Sequence, residues 1–476
     1  MSLTSIDRIS FGMGGAVYAV KEAAYIMFVL LFYTQVLGLS GTVTGIVLFI
    51  AIVWDAISDP LMGSWSDRLK SRWGRRHPFM VLSILPLAGG FLALFNPPEI
   101  ILSNMSYLAG WLLFWSLWIR TTLTMFAIPH LSMTAEITQD YHERSKLLSM
   151  RTGFLFLFAL LLPALSLFTF FGEVDGTDGR FVAGNYVTYG WISALIVCAA
   201  ALIAIVGTWK FIDSTKISPE RMPSSAGVRG MWRDFLSTFR NVNFRNVLYY
   251  DLGATASYGI TISLNIIIWT YFWELDADQT GLTLGLSVVI AVPLAWLTLG
   301  WISRHWPKHQ IIRYAVVIML IDLSWLFPLR IFEIIPANGH PLIFALIILQ
   351  NTIFMYFFIL RIVSISSITA DLTDEHEADS GKRQEGGFYS VLLFTTKLGT
   401  AVGPLYGGIA MDLVGLTEEM RPGAVGQSTL NNLMWAKLLA IAPLMTIAWY
   451  FTFRFSMTEE RLQAIQKDLH ARRKRT

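Results

Sequence analysis

The sequence has few charged residues and almost no cysteine. Only 14% of its 476 residues are charged, against about 25% in a typical soluble domain. The chain is 54% hydrophobic and 14% aromatic. This composition excludes an ordinary soluble globular protein and predicts an integral membrane protein. The single cysteine, Cys198, excludes a disulfide framework.

Signatures of catalysis are also missing from the sequence. It contains no nucleotide-binding loop, no metal-ligand cluster and no nucleophile–base constellation, so we predict a protein that is not an enzyme and uses no cofactor. The formal net charge of +3 is too small to indicate a nucleic-acid partner. The first ten residues (MSLTSIDRIS) are polar and do not resemble a cleavable signal.

Long apolar segments, by contrast, are abundant. A helical span needs about 20 mostly apolar residues. Twelve segments qualify: 12–38, 43–65, 78–96, 105–134, 152–172, 188–213, 244–273, 277–302, 309–332, 340–371, 387–415 and 431–454. The predicted fold class is therefore an all-α integral membrane protein with 12 transmembrane helices in the lipid bilayer.

Basic residues concentrate in alternate connections, after the even-numbered spans and in the tail ARRKRT. The positive-inside rule then predicts that both termini are cytoplasmic, in the cell (inner) membrane. The longest such connection splits the spans six and six, as in two-lobed transporters. We predict an N-terminal six-helix lobe at 1–213, a cytoplasmic linker at 214–242, a C-terminal six-helix lobe at 243–455 and a basic cytoplasmic tail at 456–476.

Two carboxylates lie inside the second apolar segment. Asp55, Ser58 and Asp59 are spaced so that they share one face of a helix. Asp55 lies about 18 Å into the segment, near the bilayer midplane, where a carboxylate needs a cation, a proton or a water-filled cavity. Such a pair can share a proton or bind a hard cation through its oxygens. The alternative is a structural salt bridge to a neighbouring helix.

The chain that follows this segment is basic and has the pattern GxxxDRxxxxxGRR, formed by Gly63, Asp67, Arg68, Gly74, Arg75 and Arg76. This pattern resembles the loop between spans 2 and 3 of the major facilitator superfamily. We expect Gly63 to permit close helix approach and the loop to act in gating. The alternative is that its arginines only anchor the orientation of the chain.

Three stretches together resemble one family: WDAISDPLMGSWSDRLKSRWGRRHP (54–78), IPHLSMTAEITQDYHERSKLLSMR (128–151) and ADLTDEHEADSGKRQEGGFYSVLLFTTKLGTAVGP (370–404). They are similar, in order and spacing, to the glycoside–pentoside–hexuronide:cation symporters (melibiose-permease-like). The resemblance implies the major facilitator fold with two six-helix lobes. It also implies symport of a sugar or glycoside-like small-molecule solute with Na+ or H+, by alternating access, in a protein that works as a monomer.

The resemblance also implies roles for particular residues of the cation site. It makes Asp55 and Asp59 the carboxylates that hold the coupling cation, with Ser58 at an amide-ligand position and Thr124 at a hydroxyl-ligand position. It places Lys397 beside this site as a coupling residue. The choice between Na+ and H+ stays open, because the hydroxyls favour Na+ and the absence of a third carboxylate favours H+.

The sugar site departs from the family pattern. Arg151 matches an arginine that helps to bind sugar, but Ala19 and Ala127 stand where the family has carboxylates, and Leu131 stands where it has an aromatic residue. Glu22 lies about one helical turn beyond Ala19. We therefore expect a solute other than a galactoside.

The remaining charges inside the spans are mostly basic, and arginine is suited to carboxylate, sulfonate or phosphate. We therefore hypothesise an acidic, uronate-type solute. The alternative is that Arg120 or Arg361 forms an inter-helix lock with Glu22, Asp55 or Asp251. The candidate substrate-binding residues are Lys21, Glu22, Trp54, Arg120, Arg151, Tyr258, Trp269 and Arg361.

Two rival functions remain open from the sequence. Sodium-dependent lysophospholipid carriers resemble the same family, so a cation-coupled transporter of lysophospholipids or other amphiphiles is one alternative. A non-transporting membrane receptor is the other, and it predicts no accumulation of solute under an imposed ion gradient.

Overall fold

The computed structural model describes residues 3–138, 140–173, 176–215, 239, 241–381, 385–455 and 459–473, and this part of the chain contains no β-sheet. Twelve long helices and one terminal helix account for most of it. They are α1 Ser5–Ala23, α2 Gly41–Arg68, α3 His77–Leu94, α4 Met105–Ser132, α5 Tyr141–Thr169, α6 Ala183–Thr208, α7 Val242–Tyr271, α8 Ala277–His305, α9 Lys308–Ile331, α10 Pro341–Ser380, α11 Glu385–Val414, α12 Gln427–Phe453 and α13 Glu459–Arg473.

The twelve long helices correspond one to one with the predicted spans. Eleven of them are long and apolar enough to cross a membrane. The other, α11, is a continuous helix of 30 residues whose apolar sequence is interrupted by Thr396 and Lys397 and by several glycines. The predicted fold class, an all-α membrane protein, is confirmed, and the twelve long helices agree with the twelve predicted spans.

Two helices begin well before their apolar segments, because capping rather than hydropathy decides where a helix starts. Helix α1 begins at Ser5 instead of 12, where Thr4 and Asp7 form a reciprocal capping box. Helix α5 begins at Tyr141 instead of 152, where the Asp140 side chain accepts a backbone N–H of the first turn. These polar first turns extend the helices beyond the hydrophobic part.

Helix α1 does not end in ordinary α-geometry. It continues as two π-helical stretches, Ala24–Val29 and Phe32–Val36, before Gly38 turns the chain with a φ of 72°. Single π-turns are uncommon and occur frequently at functional sites. The first stretch directly follows the charged pair Lys21 and Glu22.

The chain forms two compact units. The first contains α1–α6 together with Trp269–Gly281 and Pro404–Thr429, and the second contains the rest of α7–α12 with α13. The first unit thus includes segments at the ends of α7, α8 and α11, which the predicted lobes (1–213 and 243–455) assign to the C-terminal half. These segments belong to the first unit because they contact α1, α2, α5 and the connections around them. The lobe boundaries stay a prediction, and most of the linker at 214–242 lies outside the described residues.

One of these contacts places a carboxylate at the start of α2. Asp412 Oδ1 accepts the backbone N–H of Gly41 at 2.8 Å, and Oδ2 accepts the N–H of Thr42 at 2.8 Å and the hydroxyl of Ser40 at 2.7 Å. A helix N-terminus carries partial positive charge and unsatisfied donors, so it stabilises an anion. We call this contact between α11 and α2 the Asp412 clasp.

The backbones of α2 and α11 touch beside the clasp. A Cβ atom at Gly408 would lie 1.9 Å from the carbonyl oxygen of Gly41, and one at Gly45 would lie 2.5 Å from that of Pro404. Real Cβ atoms do not approach this closely. Glycine is therefore required at both positions for the two helices to pack as they do.

A buried arginine holds a second group of these contacts together. Arg180 is 1% exposed. Its guanidinium binds Asp178 through two nitrogens, with Nη2 2.6 Å from Oδ2, and also donates to the carbonyl oxygen of Leu275 at 2.6 Å. Nη1 donates to the hydroxyls of Thr270 at 2.7 Å and Thr280 at 3.2 Å. This Arg180 cluster uses all five N–H donors of the side chain.

We expect Arg180→Ala to lower the apparent Tm of the purified protein by about 3–6 °C, because it leaves buried acceptors without a donor. Thermal unfolding in detergent, followed by tryptophan fluorescence, measures the shift. Arg421→Ala is the control: Arg421 is exposed and its guanidinium lies over the ring of Phe181, 4.9 Å from the centroid, so about 1 °C is expected. Equal shifts in the two variants would contradict a structural role for the cluster.

Candidate functional site

The two intramembrane carboxylates meet a hydroxyl from the neighbouring helix. Asp55 and Asp59 project from the middle of α2, and Thr124 projects from α4. Thr124 Oγ1 lies 2.8 Å from Asp59 Oδ1 and 3.4 Å from Asp55 Oδ1. Asp55 is buried, at 4% exposure. Three side-chain oxygen groups on two helices thus converge in one place. We call Asp55, Ser58, Asp59, Arg120 and Thr124 the carboxylate site.

A guanidinium lies in the same place. Arg120 is one helical turn before Thr124, is 4% exposed, and its Nη1 donates to Asp55 Oδ2 at 3.3 Å. Its guanidinium also lies over the ring of Tyr25, 5.0 Å from the centroid. The two helices therefore carry a buried ion pair together with the second carboxylate and the hydroxyl.

Ser58 supports the site from within α2. Its hydroxyl donates to the backbone carbonyl oxygen of Asp55 at 3.3 Å, and the residue is buried. The oxygen of Ser58 still has lone pairs to offer to an ion. The hydroxyl is thus compatible with the ligand position implied by the resemblance, which stays a prediction.

Helix α1 contributes a second charged pair beside the site. Lys21 is buried and forms an ion pair with Glu22, and its ammonium lies over the ring of Tyr18, 4.4 Å from the centroid. Tyr18 interacts electrostatically with both site carboxylates and with Glu22. Sequence reasoning missed Tyr18, although it lies one turn before Glu22 on the same helix face.

Arg151 reaches the same region from α5. The backbones of α1 and α5 touch, since a Cβ atom at Gly15 would lie 2.1 Å from the carbonyl oxygen of Arg151. The guanidinium interacts electrostatically with Tyr18. Within the described part of the chain no ion pair joins Arg151 to a carboxylate, and its Nε has no hydrogen-bond partner.

The second unit contains a similar buried pair. Arg361 Nη1 lies 3.1 Å from Asp251 Oδ1, and the hydroxyl of Thr396 donates to Asp251 Oδ2 at 2.6 Å. The guanidinium lies over the ring of Phe358, which stacks on Tyr258 with centroids 4.2 Å apart. Arg120 and Arg361 therefore both have the geometry of inter-helix locks, the alternative to anion binding, and their role toward solute stays a prediction.

The other predicted site residues are spread over the fold. Lys397 lies on α11 directly after Thr396 and is half-buried. Trp269 is buried near the end of α7, in the first unit. Trp54 is 39% exposed, and its indole N–H donates to the hydroxyl of Thr121 at 2.8 Å. The roles assigned to these three side chains remain predictions.

The gating motif forms an ionic network. Arg76 binds Asp67 at 2.6 Å and Glu136 at 2.7 Å, and Arg75 also binds Glu136 at 2.7 Å. Arg68 is exposed. The prediction that Gly63 permits close helix approach is wrong in this structure. A Cβ atom at this position would meet only Ile128, at the ordinary contact distance of 3.7 Å.

A multi-pass helical protein with buried carboxylates midway along its spans has the architecture of a membrane transporter. Residues 10–459 match the family model described as MFS/sugar transport protein. The chain therefore belongs to this major facilitator family. It is a transporter of small molecules, not an enzyme, and the resemblance drawn from the sequence is confirmed.

Curated relatives cover nearly the whole chain. A putative glycoside/cation symporter, YagG, of Escherichia coli is 25% identical over 98% of this chain and 95% of its own length. The isoprimeverose transporter of Lactiplantibacillus pentosus is 22% identical over 98% and 92% of the two chains. A putative sulfoquinovose importer of Escherichia coli is 20% identical over 99% and 95%.

Solved structures agree with the fold. The nucleoside transporter NupG superposes with a TM-score of 0.66 at 10% identity, covering 95% of this chain and 100% of the other. A peptide transporter, POT, superposes with a TM-score of 0.61 at 14% identity, with 95% of each chain covered. The predicted major facilitator fold is thus confirmed.

Proposed function

We propose that this protein is a secondary active transporter that couples the entry of a cation to the uptake of a sugar or glycoside-like solute. The observation that carries the proposal is the convergence of Asp55, Asp59 and the Thr124 hydroxyl in the middle of α2 and α4. The names of the full-length relatives, among them a glycoside/cation symporter and an isoprimeverose transporter, support it. The charge pattern supports an inner-membrane location with both termini in the cytoplasm.

The physical reason lies in the cost of buried charge. A carboxylate at mid-membrane depth is retained only where a cation, a proton or water offsets its desolvation. Arg120 offsets one of the two carboxylates. Beside Arg120, the two carboxylates offer oxygen lone pairs to an incoming cation, Na+ or H+, and binding of that cation completes the site.

The solute that we propose is acidic, of the uronate type. Arg120 and Arg361 each bind a carboxylate of the protein, whereas Arg151 binds none within the described residues. A guanidinium suits a carboxylate or sulfonate group of a solute. A relative named as a putative sulfoquinovose importer supports the part of this proposal that the solute is sugar-like.

Uptake into proteoliposomes tests both parts of the proposal. Na+ and H+ gradients are imposed separately, and acidic glycosides, neutral glycosides and lysophospholipids are offered as solutes. Accumulation of glycoside under a cation gradient is expected. Accumulation of lysophospholipid alone would favour the alternative, for which a relative named as a lysophosphatidylcholine symporter aligns over only 32% of the chain.

We expect Arg151→Gln to reduce uptake of an acidic glycoside at least about tenfold, because one charge-assisted hydrogen-bonding group is lost. Arg144→Gln is the matched control, since Arg144 is exposed on the same helix, and it should leave uptake unchanged. Uptake is measured as the initial rate with radiolabelled solute. The acidic-solute proposal fails if neutral glycosides compete for uptake and acidic ones do not, or if the two variants transport equally well.

A further inference from the structure

The carboxylate site contains a cation that belongs to the protein. The Arg120 guanidinium is almost fully buried and lies 3.3 Å from Asp55 Oδ2. An arginine side chain stays protonated at every pH at which proteins are folded. A permanent positive charge thus lies against Asp55, one of the two carboxylates of the site.

This positive charge changes what the site offers to a metal ion. Two carboxylates one helical turn apart attract a small cation because both charges act on it and it offsets the repulsion between them. Arg120 already relieves that repulsion, occupies a lone pair of Asp55 Oδ2 and repels any second cation that approaches the same carboxylate.

Helices α1 and α4 also bring polar and charged groups to this site. On α1, Glu22 is paired with Lys21, and Tyr18 brings a hydroxyl. On α4, Thr124 donates to the carboxylates. An incoming cation therefore finds Asp55 already bound by a guanidinium.

We propose that Arg120 determines the ion preference of the site by acting as a tethered competitor of the coupling cation at Asp55, which keeps the affinity for Na+ low. The inference rests on the proposed function, in which Asp55 and Asp59 hold the cation. A Na+ ion that binds must displace the guanidinium from Asp55 Oδ2. Removal of the guanidinium opens that position to Na+.

The second unit provides a natural comparison. Arg361, Asp251 and Thr396 repeat the arginine, carboxylate and hydroxyl of the carboxylate site, at 3.1 Å and 2.6 Å. Within the described part of the chain, Arg361 and Thr396 bind Asp251 and no other carboxylate. Replacement of Arg361 therefore removes a buried guanidinium that binds a single carboxylate, whereas replacement of Arg120 removes one that binds a member of a carboxylate pair.

Calorimetric titration of NaCl into detergent-purified protein in choline buffer measures the affinity directly. Arg120→Gln is expected to bind Na+ at least about tenfold more tightly than the unmodified protein, because one repelling charge is gone. Arg120→Lys keeps the charge and should retain weak binding. Arg361→Gln should also bind Na+ as weakly as the unmodified protein.

A stability measurement covers the case in which Arg120→Gln folds poorly. The Tm of this variant should rise with NaCl relative to choline chloride, because Na+ binds the folded state and replaces the missing counter-ion. Equal Na+ affinities of Arg120→Gln and the unmodified protein would overturn the inference. So would a variant that stays unfolded in NaCl while Arg120→Lys folds.

The vesicle experiments keep this inference separate from the proposed function. If no solute accumulates under any cation gradient while Arg120→Gln still gains Na+ affinity, the transport proposal fails and the role of Arg120 in ion preference is retained. If solute accumulates but the Na+ affinity does not respond to Arg120, only the inference fails.

Discussion

Asp59→Asn is expected to reduce cation-driven accumulation of solute at least about 100-fold, because it removes the carboxylate whose charge Arg120 does not offset. The change is nearly isosteric and leaves the Asp55–Arg120 ion pair in place. Thr124 can still donate to the amide oxygen of the new residue. The variant should therefore fold, and it should still exchange solute across vesicles with equal cation concentrations on both sides.

The measurement compares two modes of transport by the same vesicles. Initial uptake is followed under an imposed cation gradient and then as counterflow without one. Asp251→Asn is the matched control, since Asp251 is also a buried carboxylate bound by an arginine and a threonine. It should lower thermal stability but keep gradient-driven accumulation. Accumulation that survives in Asp59→Asn, and also in the double variant Asp55→Asn/Asp59→Asn, would refute the proposed cation site.

Gly408→Val is expected to reduce uptake at least about tenfold, because its side chain would displace the backbone of α2 from α11. Even a Cβ atom would lie 1.9 Å from the carbonyl oxygen of Gly41. Separation of the helices would also break the hydrogen bonds of the Asp412 clasp at 2.7–2.8 Å. In the predicted division of the chain these two helices belong to different lobes, and alternating access requires that contacts between lobes form and break in each cycle.

The control for this prediction is Gly110→Val on α4. No atom lies within 4 Å of a Cβ placed at Gly110, so the added side chain enters open space. Both variants are compared by initial uptake rate and by elution as a single peak in detergent. Normal uptake by a folded Gly408→Val would show that the clasp is not needed for transport.

The sequence was sufficient to predict the helices and the centre of the carboxylate site. Apolar length predicts the spans, and the spacing of Asp55 and Asp59 predicts that they share a helix face. The resemblance added Thr124, and the structure brings its hydroxyl to both carboxylates. These features depend on local spacing or on motifs, which a single sequence contains.

Contacts between distant parts of the chain could not be predicted in the same way. Nothing around Asp412 indicates that it caps a helix 371 residues earlier, and nothing around Arg180 indicates that its guanidinium is fully buried. The partner of Arg120 was one of several acids that the sequence left open. A buried charge requires a partner, but only the packing of the helices determines which residue that partner is.

The π-helical stretches at Ala24–Val29 and Phe32–Val36 have a consequence for the evolution of this chain. A π-turn holds one residue more than the α-turn that it replaces. Deletion of a single amino acid there would restore regular winding while every later side chain kept its direction. Alignments of related transporters should therefore tolerate one-residue gaps at this point of the first span, where a gap elsewhere in a helix would rotate all that follows.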